Sequence, residues 1–424
     1  MALEAAAWEA GAVWRPARAN RPGAAQSTGR LASAVSALDR LARRVGRIAP
    51  FEVMEVLAQA HRMQVAGADV IHLEVGEPDF ATPEPIVQAA AGALSSEPMF
   101  YTPALGLPQL REAISGHYTD RYGLSIPVDR IVVTAGSSAA LLLALGLMLD
   151  VDDEALIGDP GYPCNRHFVT FMDAKPVLVP TDAATDYQVT ADLLDAAWTA
   201  RTRMVIAASP SNPTGTLIEQ DEWVRIAALC RERGATLVAD EIYHGLVYGR
   251  DPATVLSLTD DVIVVNSFSK YFQMTGWRLG WLVVPDGAAR EIEKLAQNLF
   301  ICPSTVAQHA ALAAFSPQTI EILESRRSEL RQRRDVLLAA LPEIGFRVRA
   351  RPDGAFYIYC DVSDLTDDSF AFARRVLDQT AVAITPGRDF GFAAPDQHMR
   401  IAYTQPVPRL HEAVERIRQM VAAT

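Results

Sequence analysis

Short apolar runs rich in β-branched residues alternate with helical segments along the middle of the chain, and this alternation constrains the fold most. Helical periodicity covers residues 138–149, 191–198 and 221–233. The runs of strand length are residues 131–134, 155–157, 177–179, 204–207, 236–239, 262–265 and 279–284. Strands that are apolar throughout belong to sheets covered on both faces. The pattern therefore predicts an α/β fold, with a mostly parallel seven-stranded sheet sandwiched by helices.

Beyond Gly287 the pattern changes to longer helices and shorter strands. The two long helical stretches cover residues 288–315 and 317–340. The short strands cover residues 347–349, 356–360, 381–384 and 399–403, with a helix before the third and another at the end. Helices and strands in this mixture indicate an α+β unit. We therefore expect a smaller α+β domain to follow the large sheet.

Residues 1–47 differ in composition from the rest of the chain. They are rich in Ala and Arg, with eight Arg against Glu4, Glu9 and Asp39. No apolar stretch follows the start, so we expect no secretory signal. An organelle-targeting peptide is one interpretation of such an Arg-rich segment. The other, which we adopt, is a poorly ordered N-terminal extension.

Charge, hydropathy and cysteine spacing exclude several classes of function. The chain has 424 residues and a net charge of −12, whereas binding to nucleic acid or anionic membranes needs clustered Lys and Arg. Its longest apolar run covers residues 139–149, and a membrane-spanning helix needs about 20 residues. Cys164, Cys230, Cys302 and Cys360 are too scattered for a zinc or redox motif. We therefore expect no metal, no nucleic acid, no membrane and a reducing, cytoplasmic location.

The ends of the predicted strands carry polar residues, and ligands of doubly wound sheets bind beyond the carboxyl ends of the strands. Ala135, Gly136 and Ser137 lie between the first strand and a helix. The N–H groups at such a helix start favour an anion, although a Ser there is also a common N-cap. Asp240 ends a later strand, where a buried carboxylate is costly unless it is paired. The structural alternative for Asp240 is a helix cap.

The use of lysine singles out one position. Of 39 basic residues only Lys175, Lys270 and Lys294 are lysines. Lys270 ends an apolar strand among small hydroxyl residues, whereas the other two have surface contexts. Lys forms a Schiff base with an aldehyde, and Arg does not. A Schiff-base lysine, an anion cradle and a buried carboxylate together indicate pyridoxal phosphate, whose aldehyde, phosphate and pyridinium nitrogen need these partners.

Eight short motifs follow one another along the chain. They are Gly76-Glu77-Pro78-Asp79-Phe80, Tyr101-Thr102-Pro103 through Gly106 to Leu110-Arg111, Ala135-Gly136-Ser137, Asp159-Pro160-Gly161-Tyr162-Pro163, Asn212-Pro213-Thr214-Gly215, Asp240-Glu241-Ile242-Tyr243, Ser267-Phe268-Ser269-Lys270 with Arg278, and Arg400. In this order they resemble the class I and II aminotransferases, the aspartate-aminotransferase-like fold type I of pyridoxal phosphate enzymes. The resemblance runs from about residue 48 to the C-terminus. It implies a large cofactor-binding domain over residues 79–314 and a small domain made of residues 48–78 with 315–424.

The resemblance implies roles for the residues around the cofactor ring. Lys270 would bind the cofactor as a Schiff base and would move a proton at the substrate Cα. Asp240 would pair with the pyridinium N–H. Tyr243 and Asn212 would hydrogen-bond the phenolic oxygen, and Tyr162 would stack on the ring.

The resemblance also implies phosphate and substrate contacts. The phosphate would be held by Ala135, Gly136, Ser137, Ser267, Ser269 and Arg278. Gly76, Asn212 and Arg400 would contact the substrate, and Arg400 would clamp its α-carboxylate with a bidentate fork. Tyr101 would reach the phosphate of the neighbouring subunit, which implies a homodimer. The implied reaction moves an amino group from an L-amino acid to a 2-oxo acid by a ping-pong mechanism.

Two segments depart from the family pattern, and two others bear on the substrate. Gln273 stands where a small residue is usual, which would narrow the space near the lysine. Arg388 and Asp389 stand where Ser-Ala or similar is common, and they would tune specificity or form a surface pair. Residues 48–51 and 299–301 are apolar. If they line the site, they favour an apolar or aromatic amino donor or a broad donor range.

Two alternatives use the same fold. C–S β-lyases and aminocyclopropane-carboxylate synthases share the cofactor residues but catalyse elimination, because fold alone does not decide function. A ligand-sensing regulator of this fold would carry an added DNA-binding domain. Residues 1–47 are too short for one and show no helix-turn-helix pattern. We therefore expect an aminotransferase that acts on small-molecule substrates.

Overall fold

The computed structural model describes residues 41–249 and 252–423, and its elements follow the predicted alternation. The helices are α1 (Val53–Val65), α2 (Glu84–Ser96), α3 (Pro108–Tyr122), α4 (Gly136–Met148), α5 (Pro163–Phe171), α6 (Ala191–Ala197), α7 (Gln220–Arg233), α8 (Ala289–Leu299), α9 (Thr305–Leu312), α10 (Pro317–Ala340), α11 (Ser369–Thr380) and α12 (Val407–Ala422). The strands are β1 (Ile71–His72), β2 (Ile131–Thr134), β3 (Glu154–Asp159), β4 (Lys175–Pro180), β5 (Thr202–Ala208), β6 (Thr236–Asp240), β7 (Ile263–Ser267), β8 (Gly280–Val283), β9 (Arg347–Val348), β10 (Tyr357–Asp361), β11 (Val382–Ala383), β12 (Thr385–Pro386) and β13 (His398–Ala402). Within these described ranges, no helix combines the length and the apolar character needed to cross a bilayer.

A seven-stranded sheet in the order β2-β8-β7-β6-β5-β3-β4 lies at the centre of the larger part of the molecule. Five of its strands pair in parallel, whereas β8 is antiparallel to both of its neighbours, β2 and β7. Leu237, Val238 and Ala239 of β6 are buried, as a strand covered on both faces requires. The predicted α/β class with a mostly parallel seven-stranded sheet is therefore confirmed.

The carboxyl ends of β5, β6 and β7 lie side by side. Ala208 at the end of β5 pairs with Asp240 at the end of β6, and Asp240 pairs with Val265 of β7. The segments that carry Asn212, Asp240 and Lys270 start at these ends. This edge of the sheet is therefore the place where the residues singled out from the sequence meet.

The prediction of a single helix over residues 288–315 is wrong. The structure has two helices there, α8 and α9, with non-helical backbone between them. Ile301 has a φ of 66°, in the left-handed region. Pro303 has no N–H to donate and disfavours helical backbone at the residue before it. By contrast, the helix predicted over residues 317–340 is confirmed as α10.

Two smaller sheets join the beginning and the end of the described chain. One is antiparallel, in the order β12-β13-β10-β9, and the other pairs β1 in parallel with β11. Ile71 lies opposite Val382, and the N–H of Ala402 donates to the carbonyl of Leu73 at 2.7 Å. These bonds tie the segment before α2 to the C-terminal elements. The domain boundaries given above stay a prediction.

The predicted N-terminal extension is described only in its last part, where a short 3-10 helix lies on the surface. Arg44 and Arg47 form ion pairs with Asp173 at 2.8 and 2.9 Å. These contacts attach Arg44 and Arg47 to the turn that follows α5, and the poor order of the extension stays a prediction. The prediction for residues 1–40 lies outside the described residues.

Candidate active site

A cavity of about 350 Å³ opens at the carboxyl ends of β5, β6 and β7. The predicted site residues that line it are Gly76, Ser137, Tyr162, Asn212, Asp240, Tyr243, Ser269, Lys270, Arg278 and Arg400. Ala135, Gly136 and Ser267 adjoin this lining without belonging to it. Tyr101 lies apart from the cavity, with 81% of its surface exposed. The structure therefore gathers the predicted residues around one cavity, with Tyr101 as the exception.

Lys270 follows β7 and presents its amine to the cavity. Its Nζ donates to the carbonyl oxygen of Gly76 at 2.8 Å. The rings of Tyr243 and Phe356 lie 5.8 and 5.7 Å from Nζ. Burial, together with the nearby charge of Arg400, lowers the pKa of Lys270 to about 8. A larger fraction of this amine is therefore uncharged near neutral pH than for an exposed lysine.

Asp240 ends β6 with a buried carboxylate. Its Oδ1 accepts a hydrogen bond from the N–H of Ile242 at 3.1 Å. Burial raises the pKa of Asp240 to about 6, because the carboxylate loses hydration there, and the hydrogen bond from Ile242 and the charge of Lys270 offset this loss only in part. The carboxylate is therefore placed to bind a cationic N–H group that enters the cavity.

The N-terminus of α4 and the guanidinium of Arg278 lie against each other. The N-cap residue of this helix is Ala135, whose side chain cannot accept a hydrogen bond. The first N–H groups of the helix therefore lack a capping side chain. A Cβ added to Gly136 would lie 2.6 Å from Nη2 of Arg278, and Gly136 has a φ of 80°, which glycine adopts readily. The N-terminus of the helix and the guanidinium are both positive, so each of them stabilises an anion that binds between them.

The loop after β7 supports this anion-binding end. The Oγ of Ser267 donates to the carbonyl of Leu279 at 3.3 Å and accepts from the N–H of Ser269 at 3.0 Å. Arg278 has a φ of 54°, and its Nη1 donates to the carbonyl of Thr275 at 3.1 Å. The hydroxyl of Ser267 is therefore used within the loop, whereas Ser269 lines the cavity.

Arg400 lies on β13 with its side chain buried. Its Nη1 donates to Oδ1 of Asn212 at 3.0 Å, and its Nη2 donates to the carbonyl of Glu74 at 2.6 Å. The ring of Tyr357 lies 4.3 Å from the guanidinium carbon. Among the described residues, the buried Nε has no hydrogen-bond partner. The guanidinium is thus held in one orientation and suited to a planar anion such as a carboxylate.

Two buried phenols, Tyr243 and Tyr357, share a hydrogen bond of 3.0 Å between their hydroxyls. Burial raises the pKa of Tyr243 well above its ordinary value, so this hydroxyl keeps its proton. A Cβ on Gly76 would lie 2.9 Å from the hydroxyl of Tyr357, which explains why the smallest residue stands there. Tyr162 lines the cavity at the start of α5.

One side of the cavity is apolar and comes from α1 and the residues just before it. We call it the α1 wall, and it consists of Phe51, Val53, Met54 and Leu57. Phe51 belongs to the apolar segment 48–51 that was expected to line the site. The other segment, 299–301, does not line the cavity, and its Leu299 and Ile301 are exposed. The apolar lining therefore comes from one of the two predicted segments.

Sequence reasoning missed several residues that shape the cavity. They include Glu74, Leu141, Tyr357, Thr385 and Phe390. No local motif marks them, because contacts such as that between Arg400 and Glu74, 326 positions apart, bring them to the site.

The departures from the family pattern have separate structural roles. Gln273 is buried with a φ of 56°, does not line the cavity and hydrogen-bonds Arg326. Arg388 forms ion pairs with Asp396 and with Asp368. Asp389, by contrast, lines the cavity. The two neighbouring residues therefore do not form a surface pair with each other.

A comparison with protein-family models assigns the chain to a family. The model described as aminotransferase class I and II matches residues 68–417. The chain belongs to the class I and II aminotransferases. It is an enzyme that transfers an amino group between an amino acid and a 2-oxo acid, and it depends on pyridoxal phosphate.

Individual relatives support the same conclusion. The valine–pyruvate aminotransferase of Mycobacterium tuberculosis is 42% identical over 382 residues, which cover 89% of this chain and 98% of the relative. A transaminase of Methanocaldococcus jannaschii, named for (5-formylfuran-3-yl)methyl phosphate, is 37% identical over 384 residues, 90% of this chain and 99% of the relative. Both names describe amino-group transfer. They therefore favour an aminotransferase over an enzyme that catalyses elimination and over a ligand-sensing regulator.

The fold agrees with a solved structure. The crystal structure of an aminotransferase from Mycobacterium tuberculosis superimposes with a TM-score of 0.88 at 41% identity, over 91% of this chain and 100% of the other. The aspartate-aminotransferase-like fold predicted from the motifs is therefore confirmed.

The residues of this aminotransferase fit pyridoxal phosphate. The positive cradle between α4 and Arg278, into which a Cβ at Gly136 would intrude, suits a phosphate. The buried carboxylate of Asp240 suits a protonated ring nitrogen, because a cation there offsets the cost of its burial. The amine of Lys270, with its lowered pKa, suits an aldehyde.

Proposed function

We propose that this aminotransferase takes an apolar L-amino acid as its amino donor and a 2-oxo acid as its acceptor, in two successive half-reactions. The observation that carries the proposal is the α1 wall, which lines the cavity with apolar side chains. Burying an apolar donor side chain against it contributes roughly 25 cal/mol for each Å² removed from water. An alanine donor gains less of this energy than leucine or phenylalanine.

The charges that this subunit contributes to the cavity leave no cation for a second carboxylate. In the described part of the chain, its basic lining residues are Lys270, Arg278 and Arg400, and each has a proposed partner. Glu74 and Asp389 add acidic groups to the lining. The side chain of an aspartate or glutamate donor would therefore be desolvated without a counter-ion, which is unfavourable. The name of the valine–pyruvate relative supports the same choice.

Arg400 is proposed to bind the α-carboxylate of the donor and of the acceptor. Its fork is already oriented by Asn212 and Glu74 and stacked on Tyr357. Gly76 and Asn212 would contact the same substrate. A carboxylate held by two parallel hydrogen bonds also orients the Cα–H bond.

Lys270 and Asp240 are proposed to carry the acid–base chemistry. Pyridoxal phosphate, when bound, supplies an aldehyde for amines and a ring that accepts the electron pair left at Cα. The uncharged amine of Lys270 would hold the cofactor through this aldehyde, and, once released, the same Nζ would move the proton at the substrate Cα. Asp240 would accept a hydrogen bond from the ring N–H and so favour the protonated ring.

The remaining predicted residues are proposed to hold the cofactor in place. The phosphate would be bound by Ala135, Gly136, Ser137, Ser267, Ser269 and Arg278. The protonated hydroxyl of Tyr243 would donate to the phenolic oxygen of the ring, with the amide of Asn212 beside it. Tyr162 would stack on the ring face.

A homodimer with shared sites is proposed from Tyr101. Tyr101 and its neighbours Met99 and Phe100 are exposed, and a cluster of exposed large apolar side chains favours an interaction surface. Mixing Lys270→Ala subunits with Tyr101→Ala subunits tests whether Tyr101 acts across the interface. Such mixed dimers regain activity if it does, because one of their two sites is intact, and they stay inactive if it acts within its own subunit.

The cytoplasmic location stays a prediction. Its support is that Cys164, Cys230, Cys302 and Cys360 are all free thiols, which persist in a reducing compartment. Fractionation of cells that express the full chain tests it.

The donor proposal is tested by half-reactions on the purified holoenzyme. Each amino acid is added alone, and the visible absorption band of the bound cofactor is followed. Donors that bleach the band, which pyruvate or 2-oxoglutarate then restores, are true amino donors, and their kcat/KM values rank specificity. We expect valine, leucine and phenylalanine to exceed aspartate. A kcat/KM for aspartate far above those for alanine, leucine and phenylalanine overturns the proposal.

A further inference from the structure

The start of α1 lacks a local cap. The helix begins after Glu52, which has helical backbone angles and makes no capping hydrogen bond with its own side chain. The first N–H groups of a helix have no acceptor within the helix. In most helices a nearby Ser, Thr, Asp or Asn supplies one. The segment that carries the α1 wall therefore depends on an acceptor from elsewhere.

Asp389 supplies this acceptor from the far end of the chain. Its Oδ1 accepts from the N–H of Glu52 at 2.7 Å, and its Oδ2 accepts from the N–H of Val53 at 2.8 Å. The two partners lie 337 and 336 positions away in sequence. Both oxygens of one buried carboxylate are thus used on one helix end, where the helix dipole also favours a negative charge.

The segment around Asp389 is itself fixed to the substrate-binding end. The carbonyl of Asp389 accepts from Nη2 of Arg166 on α5 at 2.9 Å. The ring of Phe390 lies 4.9 Å from the guanidinium carbon of Arg400. Asp389 therefore connects the residue proposed to bind the α-carboxylate with the wall proposed to bind the donor side chain.

We propose that Asp389 is a specificity-determining positioning residue, which sets the place of the α1 wall relative to Arg400 and so selects apolar donors. This inference rests on the proposed donor range. Asp389 touches the helix and not the reacting atoms, so it acts through α1. Its loss removes two charge-assisted hydrogen bonds from the start of the helix. The packing of Val56 and Ala60 on Leu377 and Ala383 remains, so the helix stays in place while its first turn, which carries the wall, is held less firmly.

The test compares Asp389→Ala and Asp389→Asn with the wild-type holoenzyme. We expect Asp389→Ala to lower the ratio of kcat/KM for leucine over alanine by about tenfold, the range set by one or two methylene contacts. The change lies mainly in KM for leucine and is smaller for alanine, because the methyl group of alanine makes little contact with the wall. Asp389→Asn keeps one acceptor oxygen and gives an intermediate ratio.

Hydrogen–deuterium exchange provides a readout that does not depend on activity. We expect faster exchange of the α1 amides in Asp389→Ala, with the α7 amides unchanged as the internal reference. Arg388→Ala is the matched control, because it changes the adjacent residue and removes ion pairs to Asp368 and Asp396 and a charge attraction to Glu52, but leaves both hydrogen bonds from α1 to Asp389 in place. It leaves both the donor ratio and α1 exchange at wild-type values. If Asp389→Ala fails to fold, Asp389→Asn carries both measurements.

Separate results overturn the inference and the proposed function. A wild-type enzyme that prefers aspartate to leucine overturns the proposed donor range, and the inference on specificity falls with it. A wild-type enzyme that prefers apolar donors, with an unchanged leucine-to-alanine ratio in both Asp389 variants, overturns the inference alone. Unchanged α1 exchange in Asp389→Ala also overturns it, whatever donor the wild type prefers.

Discussion

Two regions of the cavity are built in different ways. The cofactor floor, which we define as Gly136, Asp240, Lys270 and Arg278, lies at strand ends and helix starts of the large sheet. The α1 wall belongs to no sheet and is held by hydrogen bonds from the distant Asp389. The floor is positioned by the backbone of the core. The wall depends on side-chain packing, in which Val56 and Ala60 of α1 contact Leu377 and Ala383, and on the carboxylate of Asp389 at the start of the helix. We infer that the chemistry common to the family resides in the floor and the choice of donor resides in the wall.

The largest expected effect comes from removing the amine of the floor. Lys270→Ala lowers kcat/KM for every donor by about 10,000-fold or more, the upper range for a lost acid–base group. The ratio between donors stays unchanged, because the wall is intact. Lys294→Ala is the matched control, since Lys294 is an exposed helix residue paired with Glu291. Residual activity of Lys270→Ala close to that of this control contradicts the assignment.

Asp240→Asn tests the buried charge of the floor. We expect kcat/KM to fall by about 1,000-fold for all donors, as for the loss of a preorganised electrostatic partner. The measurement is steady-state kinetics with leucine and with alanine. A loss confined to one donor contradicts a role in the floor.

Asp240→Asn lowers activity, but we expect it to raise the free energy of unfolding of the cofactor-free protein relative to wild type. Folding raises the pKa of Asp240 from 3.8 to about 6, so its carboxyl contributes stability below its unfolded pKa, and this stability is lost as pH rises through the folded pKa. Asp240→Asn avoids that loss. From about pH 4 to about pH 8, the free energy of unfolding of the variant relative to wild type rises by about 2.4 kcal/mol. Urea unfolding of the variant and of wild type at about pH 4 and at about pH 8 measures this difference.

A smaller effect is expected from the fork that binds the carboxylate. Arg400→Lys keeps the charge but loses the bidentate geometry. We expect kcat/KM to fall by about 100-fold for all donors, because a hydrogen bond to a charged group is worth about 1.5–3 kcal/mol. Arg409→Lys, on the surface of α12, is the control. A fall that differs strongly between leucine and alanine would place Arg400 at the side-chain end instead.

The smallest effect is expected from the wall itself. Met54 is half exposed at the mouth of the cavity, so Met54→Arg adds a cation without disturbing the core. We expect the ratio of kcat/KM for aspartate over leucine to rise about tenfold. The new arginine forms a partly exposed ion pair with the side chain of aspartate, and it makes weaker apolar contact with the side chain of leucine. Val65→Arg, at the exposed far end of the same helix, leaves the ratio unchanged. An unchanged ratio in Met54→Arg contradicts the role of the wall.

The contrast between floor and wall also explains what the sequence could predict. Asp240 and Lys270 follow apolar strands, and parallel pairing carries such strand ends to one edge, so periodicity located them. The start of α1 donates two backbone N–H groups to the carboxylate of Asp389 across more than 330 positions, and no local pattern encodes such contacts. Apolarity alone made residues 299–301 candidates for the lining, but the left-handed Ile301 lies outside the cavity, exposed to solvent.

The placement of β2 has a consequence for the order in which the molecule is assembled. β2 is an edge strand, and its neighbour in the sheet is β8, so that Ile131 pairs with Val283. A chain that emerges from the ribosome therefore completes Asp240 and Lys270 before β2 has found its partner. The cradle between Gly136 and Arg278 forms only when that long loop closes, which is the slow kind of contact in folding. Tight binding of the phosphate is therefore expected only from a chain in which the seven-stranded sheet is complete.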